Sequence, residues 1–324
     1  MHRALVVGLG AVGSDYAPAD PAAAPLSHAG AYAAHTGIEL VAGVDPDPAA
    51  RERFAARWGA PAYAGIDEAL AVTGPVELAS LATPAGARLG EARKLLASGV
   101  RVLWCEKPLA ADVATGEALV AAAREARSAL LVGFLRRFDP VHRRVAARIH
   151  GGERLLHADV RHSGTLDSFG SHAVDLIAWL GGPIVAVEAI ALEGGGALAA
   201  LRTRDGATAT VAPVVGAPTG LFEAELFTTG GRTSLQSFGE RVLRAPIAPS
   251  LTFAGHDGLG APVLEAEDGL ASAMMGAVQA AIDHLDAGAP LPCDGADGLA
   301  ALRAVEAIGR ARTEHRTVAL EIAP

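Results

Sequence analysis

Through the first 133 residues, short apolar runs alternate with amphipathic segments. Residues 4–7, 38–44, 76–82, 100–104 and 129–133 are dense in Val, Leu, Ile and Ala and too short for helices, so they read as buried strands. Helix signals lie between them. Ser27 stands as N-cap of a segment stopping near Gly37, 47–58 is closed by Gly59, Asp67 caps a short helix, 85–98 is closed by Gly99, and Asp112 caps a helix to about Arg127. Strand–helix repetition at this spacing predicts a parallel, doubly wound sheet with helices on both faces.

The pattern changes beyond the amphipathic stretch 139–150 and the Gly151-Gly152 pair. Alternating, β-rich runs recur at 155–161, 184–192, 207–211, 222–227 and 232–236. The last two are joined by Thr228-Thr229-Gly230-Gly231, which predicts a hairpin and hence a partly antiparallel sheet. Residues 245–263, rich in Pro and Gly, read as irregular, 268–287 and 296–312 as helices, and 317–322 as a last strand. The two patterns predict two domains, 1–133 and 134–324.

The turns after the first-half strands carry the candidate chemistry. Gly8-Leu9-Gly10-Ala11-Val12-Gly13 directly follows the first strand, where glycines permit a tight turn and close approach of backbone to a pyrophosphate. Gly8, Gly10, Val12 and Gly13 are therefore candidate cofactor contacts. Asp45, at the end of the second strand, is the candidate acid for ribose hydroxyls, although it lies 32 residues after Gly13 where about 20 is usual. The excess sits in 14–26, whose three prolines exclude regular helix. That loop either borders the cofactor or substrate cleft, with His28 close behind it, or is a tolerated surface insertion. Asp45-Pro46-Asp47-Pro48, with Arg51 only a turn later, favours NAD over NADP, because a 2′-phosphate would call for a small residue and an arginine directly after the strand.

Thr83-Pro84 and Glu106-Lys107-Pro108 also end strands. The chain has only two lysines, Lys94 and Lys107, among 27 basic residues, so Lys107 departs from the usual choice of arginine. Lysine can release its proton when desolvated and arginine cannot, which makes Lys107 the candidate acid/base.

Composition limits the alternatives. With 324 residues, 51% of them hydrophobic, the chain has material for real cores. A net charge of -9 without basic runs argues against nucleic acid and anionic membrane as partners. No segment reaches the roughly 18 apolar residues of a membrane span. Two cysteines, Cys105 and Cys293, cannot build a disulfide framework or a thiolate metal cluster, which fits a reducing, cytoplasmic setting and no metal.

Taken together, the glycine turn, Asp45, Thr83-Pro84, the segment from Cys105 to Ala110 and the segment Gly133-Phe-Leu-Arg-Arg-Phe-Asp-Pro140 resemble the Gfo/Idh/MocA family of nicotinamide-dependent oxidoreductases. The resemblance implies an N-terminal Rossmann domain and a second α/β domain with an open, mainly antiparallel sheet for substrate and oligomer contacts. It implies hydride transfer between NAD(H) and a ring alcohol or ketone of a sugar, polyol or related compound, by a dimer or tetramer. Lys107 would bond the reacting oxygen, with a Lys-Pro bond that can be cis, and Thr83, Pro84, Glu106 and Lys107 would touch the cofactor.

In the second half, 171–180 read as helix puts His172, Asp175 and Trp179 on one stripe. The family carries an active-site His on this helix, which His172 matches, and many members place an Asp four residues earlier. Here Ser168 fills that slot with Asp167 beside it, and Ala85 and Arg88 replace a frequent Asn and His after Thr-Pro. Lys107 and His172 are thus the expected catalytic pair, and Asp167, Ser168, Asp175 and Arg137 the expected substrate contacts. His157 and His162 read as exposed strand residues. Two alternatives remain open: a keto-reductase of nucleotide-linked sugars or polysaccharide precursors, and a non-catalytic dinucleotide-binding regulatory protein.

Overall fold

The structure is a computed structural model that describes residues 1–20 and 23–321. Pro21 and Ala22 of the proline-rich loop, and Ile322 at the end of the expected last strand, lie outside the described residues. The chain divides into two compact units, Met1–Asp139 with Ala271–Leu299, and Pro140–Leu270 with Ala300–Pro324.

The first unit runs β1 (His2–Val7), α1 (His28–Ala34), β2 (Ile38–Val44), α2 (Pro48–Trp58), β3 (Ala62–Tyr63), α3 (Ile66–Thr73), β4 (Leu78–Leu81), α4 (Arg88–Ala97), β5 (Val102–Cys105), α5 (Val113–Glu125) and β6 (Ala129–Val132). Its six strands are all parallel and lie in the order β3-β2-β1-β4-β5-β6. The order reverses between β1 and β4, which opens a crevice outside their carboxyl ends where dinucleotides bind in sheets of this kind. The central strands are apolar runs because both faces are covered: Leu78, Ala79, Leu81, Val102, Leu103, Trp104 and Cys105 are fully buried.

Local signals explain the element ends. The Ser27 side chain accepts from Gly30 N at 3.3 Å and starts α1. Gly59 closes α2 in the left-handed region, at φ 69°. Asp112 accepts from Thr115 N at 2.7 Å and starts α5. Asp67 is a first-turn acid of α3 instead of its cap, which is Gly65. The glycine turn continues into a π-helical turn, Ala11–Asp15, so irregular chain begins only at Tyr16.

The second unit contains α6 (Pro140–His150), β7 (Leu155–His162), α7 (Ser171–Gly181), β8 (Ile184–Ala191), β9 (Ala197–Thr203), β10 (Thr208–Pro213), β11 (Phe222–Thr228), β12 (Gly231–Gln236), β13 (Arg241–Pro249), β14 (Asp257–Leu259), β15 (Val263–Ala266) and β16 (Val318–Ala319). Nine strands lie in the order β14-β13-β12-β11-β7-β10-β9-β8-β16, with β15 on β13. β7 and β10 pair in parallel, and the other described pairings are antiparallel. The hairpin expected across Thr228–Gly231 joins β11 to β12.

Two expectations fail here. β9 went unread because alanines dilute its alternation and three glycines, Gly194 to Gly196, precede it. Residues 245–263 are not irregular throughout: β13 extends through Pro246 to Pro249, since a proline gives up one N–H while its neighbour Ala245 still pairs with Arg232. Of the late helices, α8 (Ala273–Ala287) belongs to the first unit, tied there by His35 to Gln279 at 3.1 Å and by Arg101 donating to Leu285 O at 2.8 Å. The last helix, α9, spans Gly295–Glu314.

Candidate active site

Backbone packing gives the glycine turn its shape. Gly8 has φ 89°, and a Cβ there would sit 2.8 Å from the carbonyl carbon and oxygen of Ala82. A Cβ at Gly13 would collide with Gly8 O, whereas one at Gly10 would meet nothing within 4 Å. Gly8 and Gly13 thus let β1 close against the end of β4, and Gly10 leaves open space over the turn. Val12, half-buried, lies in the π-helical turn whose Ser14 and Asp15 N–H groups donate to Gly10 O at 2.8 and 3.1 Å.

Asp45 follows β2 directly. Its Oδ2 accepts from Leu9 N and its Oδ1 from Asp47 N, both at 2.8 Å, so the carboxylate is held beside the glycine turn. Arg51 Nη1 donates at 2.8 Å to the carbonyls of Asp45 and Pro46. The nearest arginine after the strand thus turns its Nη1 onto backbone carbonyls.

After β5 comes Glu106-Lys107-Pro108, with a cis Lys107–Pro108 bond. Arg88, buried at the start of α4, grips this turn: Nε donates to Thr83 O at 2.9 Å, and Nη1 donates to the carbonyls of Glu106 and Pro108. One guanidinium thus ties the Thr83-Pro84 turn to the Glu-Lys-Pro turn, while Thr83 Oγ1 donates to Glu91 Oε2. Burial lowers the Arg88 pKa, and the acidic groups Cys105, Glu106 and Glu91 act against that. Burial also pushes the Cys105 thiol up to about 12, so at neutral pH it is a small apolar side chain.

The Glu106 side chain points into the sheet. Oε1 accepts from His28 Nε2 at 3.0 Å, and Oε2 accepts from Lys107 N at 3.3 Å. Burial alone would raise its pKa, but the His28 hydrogen bond and the charges of His28, Arg88 and Lys107 hold the carboxyl below the usual range. His28 Nδ1 meets Ser80 Oγ at 2.8 Å, which in turn meets Tyr32 Oη at 2.6 Å. Burial drives the Tyr32 phenol well above its ordinary pKa. Of this cluster the sequence marks Glu106 as a site candidate and His28 only as the residue close behind the 14–26 loop, while Ser80 and Tyr32 are missed. Ser80, a polar residue inside the apolar run Leu78-Ala79-Ser80-Leu81, was the available signal.

The second unit holds the other candidates. Thr165 starts a π-helical turn, Leu166–Gly170, and forms a capping box with Ser168, whose Oγ accepts from Thr165 N at 2.8 Å and donates to Thr165 O at 2.9 Å. Ser171 Oγ donates to Asp167 O and Ser168 O at 2.9 Å, joining this turn to α7. Asp167 is exposed, His172 is half-buried on the first turn of α7, and Asp175 is buried one turn on. His162 is not exposed as expected. It is 1% accessible, its Nδ1 meets Ser163 O at 2.9 Å, and Gly170 lies so close that a Cβ there would be 3.2 Å from the ring. Burial lowers its pKa.

Within the first unit the structure brings Gly8, Gly10, Gly13, Asp45, Thr83, Pro84, Glu106 and Lys107 to the carboxyl ends of adjacent strands. Arg137, one of the expected substrate contacts, is buried in the same unit and pairs with Asp297 Oδ1 at 3.1 Å and Pro292 O at 3.3 Å. Among the described residues no group of three or more His, Cys, Asp or Glu could hold a metal ion, and no helix is long and apolar enough to cross a membrane.

Comparison with known proteins points the same way. Residues 2–134 match the model of an oxidoreductase family with an NAD-binding Rossmann fold. A myo-inositol dehydrogenase of Streptomyces leeuwenhoekii is 34% identical over 194 residues, 55% of this chain and 55% of that protein. An inositol 2-dehydrogenase of Rhizobium meliloti is 30% identical over 125 residues, 39% of this chain and 37% of that protein. The chain spans about half the length of the curated relatives it matches first. Among solved structures, the WlbA dehydrogenase of Bordetella pertussis, in complex with NADH and UDP-GlcNAcA, superposes with a TM-score of 0.78 at 23% identity, covering 99% of this chain and 98% of that one. At that identity the likeness carries the fold alone.

Proposed function

We propose that this chain, whose residues 2–134 match the Gfo/Idh/MocA oxidoreductase family model, transfers a hydride between NAD(H) and a secondary alcohol or ketone of a polyol or sugar. The observation that carries the reading is the Glu106-Lys107-Pro108 turn. It stands at the carboxyl end of β5, beside the crevice where the strand order reverses, and Arg88 and Glu106 immobilise it.

The residues present fit a dinucleotide. Gly10 leaves room for a pyrophosphate over the turn, and each Asp45 oxygen, accepting one backbone N–H, keeps a lone pair for a ribose hydroxyl. With Arg51 bonded to backbone and a carboxylate at the end of β2, a 2′-phosphate would meet repulsion, so NAD is the cofactor in preference to NADP. When bound, NAD supplies the hydride acceptor or donor. Gly8, Val12, Gly13, Thr83 and Pro84 shape the rest of its bed.

Lys107 handles the proton. In the oxidative direction its amine takes the proton of the substrate hydroxyl as the carbon loses hydride and becomes a carbonyl, and in reduction its ammonium returns that proton. His172 orients the neighbouring hydroxyl or shares the proton, and Asp167, Ser168 and Asp175 contribute further substrate contacts. Arg137, whose Nη1 meets Asp297 Oδ1 and Pro292 O, is a further substrate contact in this reading. The inositol dehydrogenases among the relatives favour a polyol. A relative named as a UDP-kanosamine synthase oxidoreductase subunit, 32% identical over 207 residues, supports a second reading, a nucleotide-linked sugar. The reading also includes a cytoplasmic homo-oligomer, consistent with exposed Ile247, Leu259, Val263 and Leu264 on β13 to β15.

The test is a hydride-exchange screen of polyols, free sugars and nucleotide-sugars with NAD and NADP, followed by NADH absorbance. Turnover of a polyol or sugar with NAD supports the reading. Binding of NAD without turnover of any of these classes would leave a dinucleotide-binding protein and defeat it.

A further inference from the structure

The proline-rich segment delivers one side chain into the core. His28, the first residue of α1, is fully buried, and its ring centroid lies 4.0 Å from that of Trp104. A carboxylate only accepts hydrogen bonds, so the contact between His28 Nε2 and Glu106 Oε1 requires the proton on Nε2. On the other side of the ring, Ser80 and Tyr32 continue the chain of polar groups.

This chain of groups runs through apolar surroundings: His28 and Tyr32 both lie against the fully buried Trp104 of β5, and Ser80 stands on a strand with no exposed residue. Desolvating a carboxylate and its partner is costly, and apolar side chains of similar volume often serve stability as well or better. Stability alone therefore does not account for the pair. The adjacent Lys107 does. The Glu106 carboxylate is fixed from several directions: His28 holds Oε1, Lys107 N donates to Oε2, and Gly133 leaves the slot it fills, since a Cβ at Gly133 would lie 2.7 Å from Oε1.

We propose that His28 is a positioning residue for Lys107: by holding the Glu106 carboxylate it sets the Glu106-Lys107 backbone and the direction of the lysine side chain, and it couples both to the inserted segment that ends at Ser27. The inference rests on the reading of Lys107 as the proton-transfer group, and it adds the device that aims that group. Sub-ångström aim matters, because a displacement of about 1 Å at a reacting group can cost about 100-fold in rate.

The scarcity of lysine supplies a test that needs neither cofactor nor substrate. Reductive methylation with carbon-13 formaldehyde labels two side chains, Lys94 and Lys107, besides the N-terminus. A Lys94→Arg variant assigns the spectrum, and Lys94, exposed and bonded to Asp67 at 2.6 Å, serves as the surface reference. In cofactor-free protein, His28→Leu should move the Lys107 signal toward the surface-lysine position. His28→Gln, whose amide donates toward Glu106, should leave it in place.

In turnover, His28→Leu should lower kcat by about 10-fold to 100-fold while the KM and the NADH dissociation constant stay within about 3-fold, and His28→Gln should recover most of the loss. If His28→Leu does not fold, Ser80→Ala, which removes the partner of Nδ1, should shift the Lys107 signal the same way by a smaller amount. An unchanged Lys107 signal in every variant, or equal kcat losses in the Leu and Gln variants, would overturn the proposal. A wild-type protein that turns over no polyol or sugar would instead defeat the functional reading and leave the spectroscopic result standing.

Discussion

Arg88→Met removes a buried guanidinium that bonds three carbonyl oxygens, those of Thr83, Glu106 and Pro108. Methionine keeps most of the apolar stem and none of the donors. Leaving a buried acceptor unsatisfied costs about 1–3 kcal/mol, so even the low end over three carbonyls gives about 3 kcal/mol. For a domain of this size about 1 kcal/mol corresponds to about 2–4 °C, so the melting transition should fall by about 6–12 °C. Arg88→Lys should recover less than half of that, because an ammonium on a flexible stem cannot reproduce the planar fork. Calorimetry of both variants, with NADH titration alongside, measures the effect. A methionine variant melting within about 2 °C of wild type would refute the idea that Arg88 bears the Glu-Lys-Pro turn.

Two further outcomes come from the same geometry. NADH should bind at least about 10-fold more tightly than NADPH, and Asp45→Ala should narrow that gap by weakening NADH and admitting NADPH; fluorescence titration of both dinucleotides measures it, and equal affinities in the wild type would remove Asp45 from its role. Because burial depresses the His162 pKa below that of the unfolded chain, the unfolded state takes up the proton first as pH falls. The contribution of the neutral ring is therefore present above about pH 6.5 and is lost as pH drops through the depressed folded value. Urea melts of His162→Phe should show a shallower loss of stability below that pH, and an unchanged slope would contradict the assignment.

Much of the first unit was legible because its strands are buried on both faces. β5 and β6 are unbroken apolar runs, β1 is apolar from Ala4 on and β4 is interrupted only by Ser80, and caps such as Ser27, Gly59 and Asp112 mark the helices between them. The sheet of the second unit was read less completely. β9 carries alanines and β13 alanines and prolines where alternation would have been the signal, and their pairing is decided by partners distant in sequence. His162 looked like a strand-face residue, but β7 lies inside the sheet between β11 and β10, and the turn at Gly170 covers its ring.

The site divides along the same line. Gly8, Gly10, Gly13, Asp45 and Lys107 stand at strand ends, where sequence position alone suggests chemistry. His28, Ser80, Tyr32 and Glu106 lie on α1, β4 and the turn after β5, and only the fold brings them together. Arg88 was visible merely as a departure from a family pattern, and its grip on two turns depends on their meeting in space.

The most direct test of the account is the kinetics of Lys107→Met, which keeps the side-chain length and removes the titratable charge. Loss of a positioned acid/base typically costs about 10²–10⁴ in rate, so kcat with the substrate found by the screen should fall by that factor while NADH affinity stays within a few-fold. Lys107→Arg should rescue little, since a guanidinium keeps its proton at working pH. A Lys107→Met protein that binds NADH normally and turns over substrate at near the wild-type rate would contradict the assignment of Lys107 and the chemistry built on it.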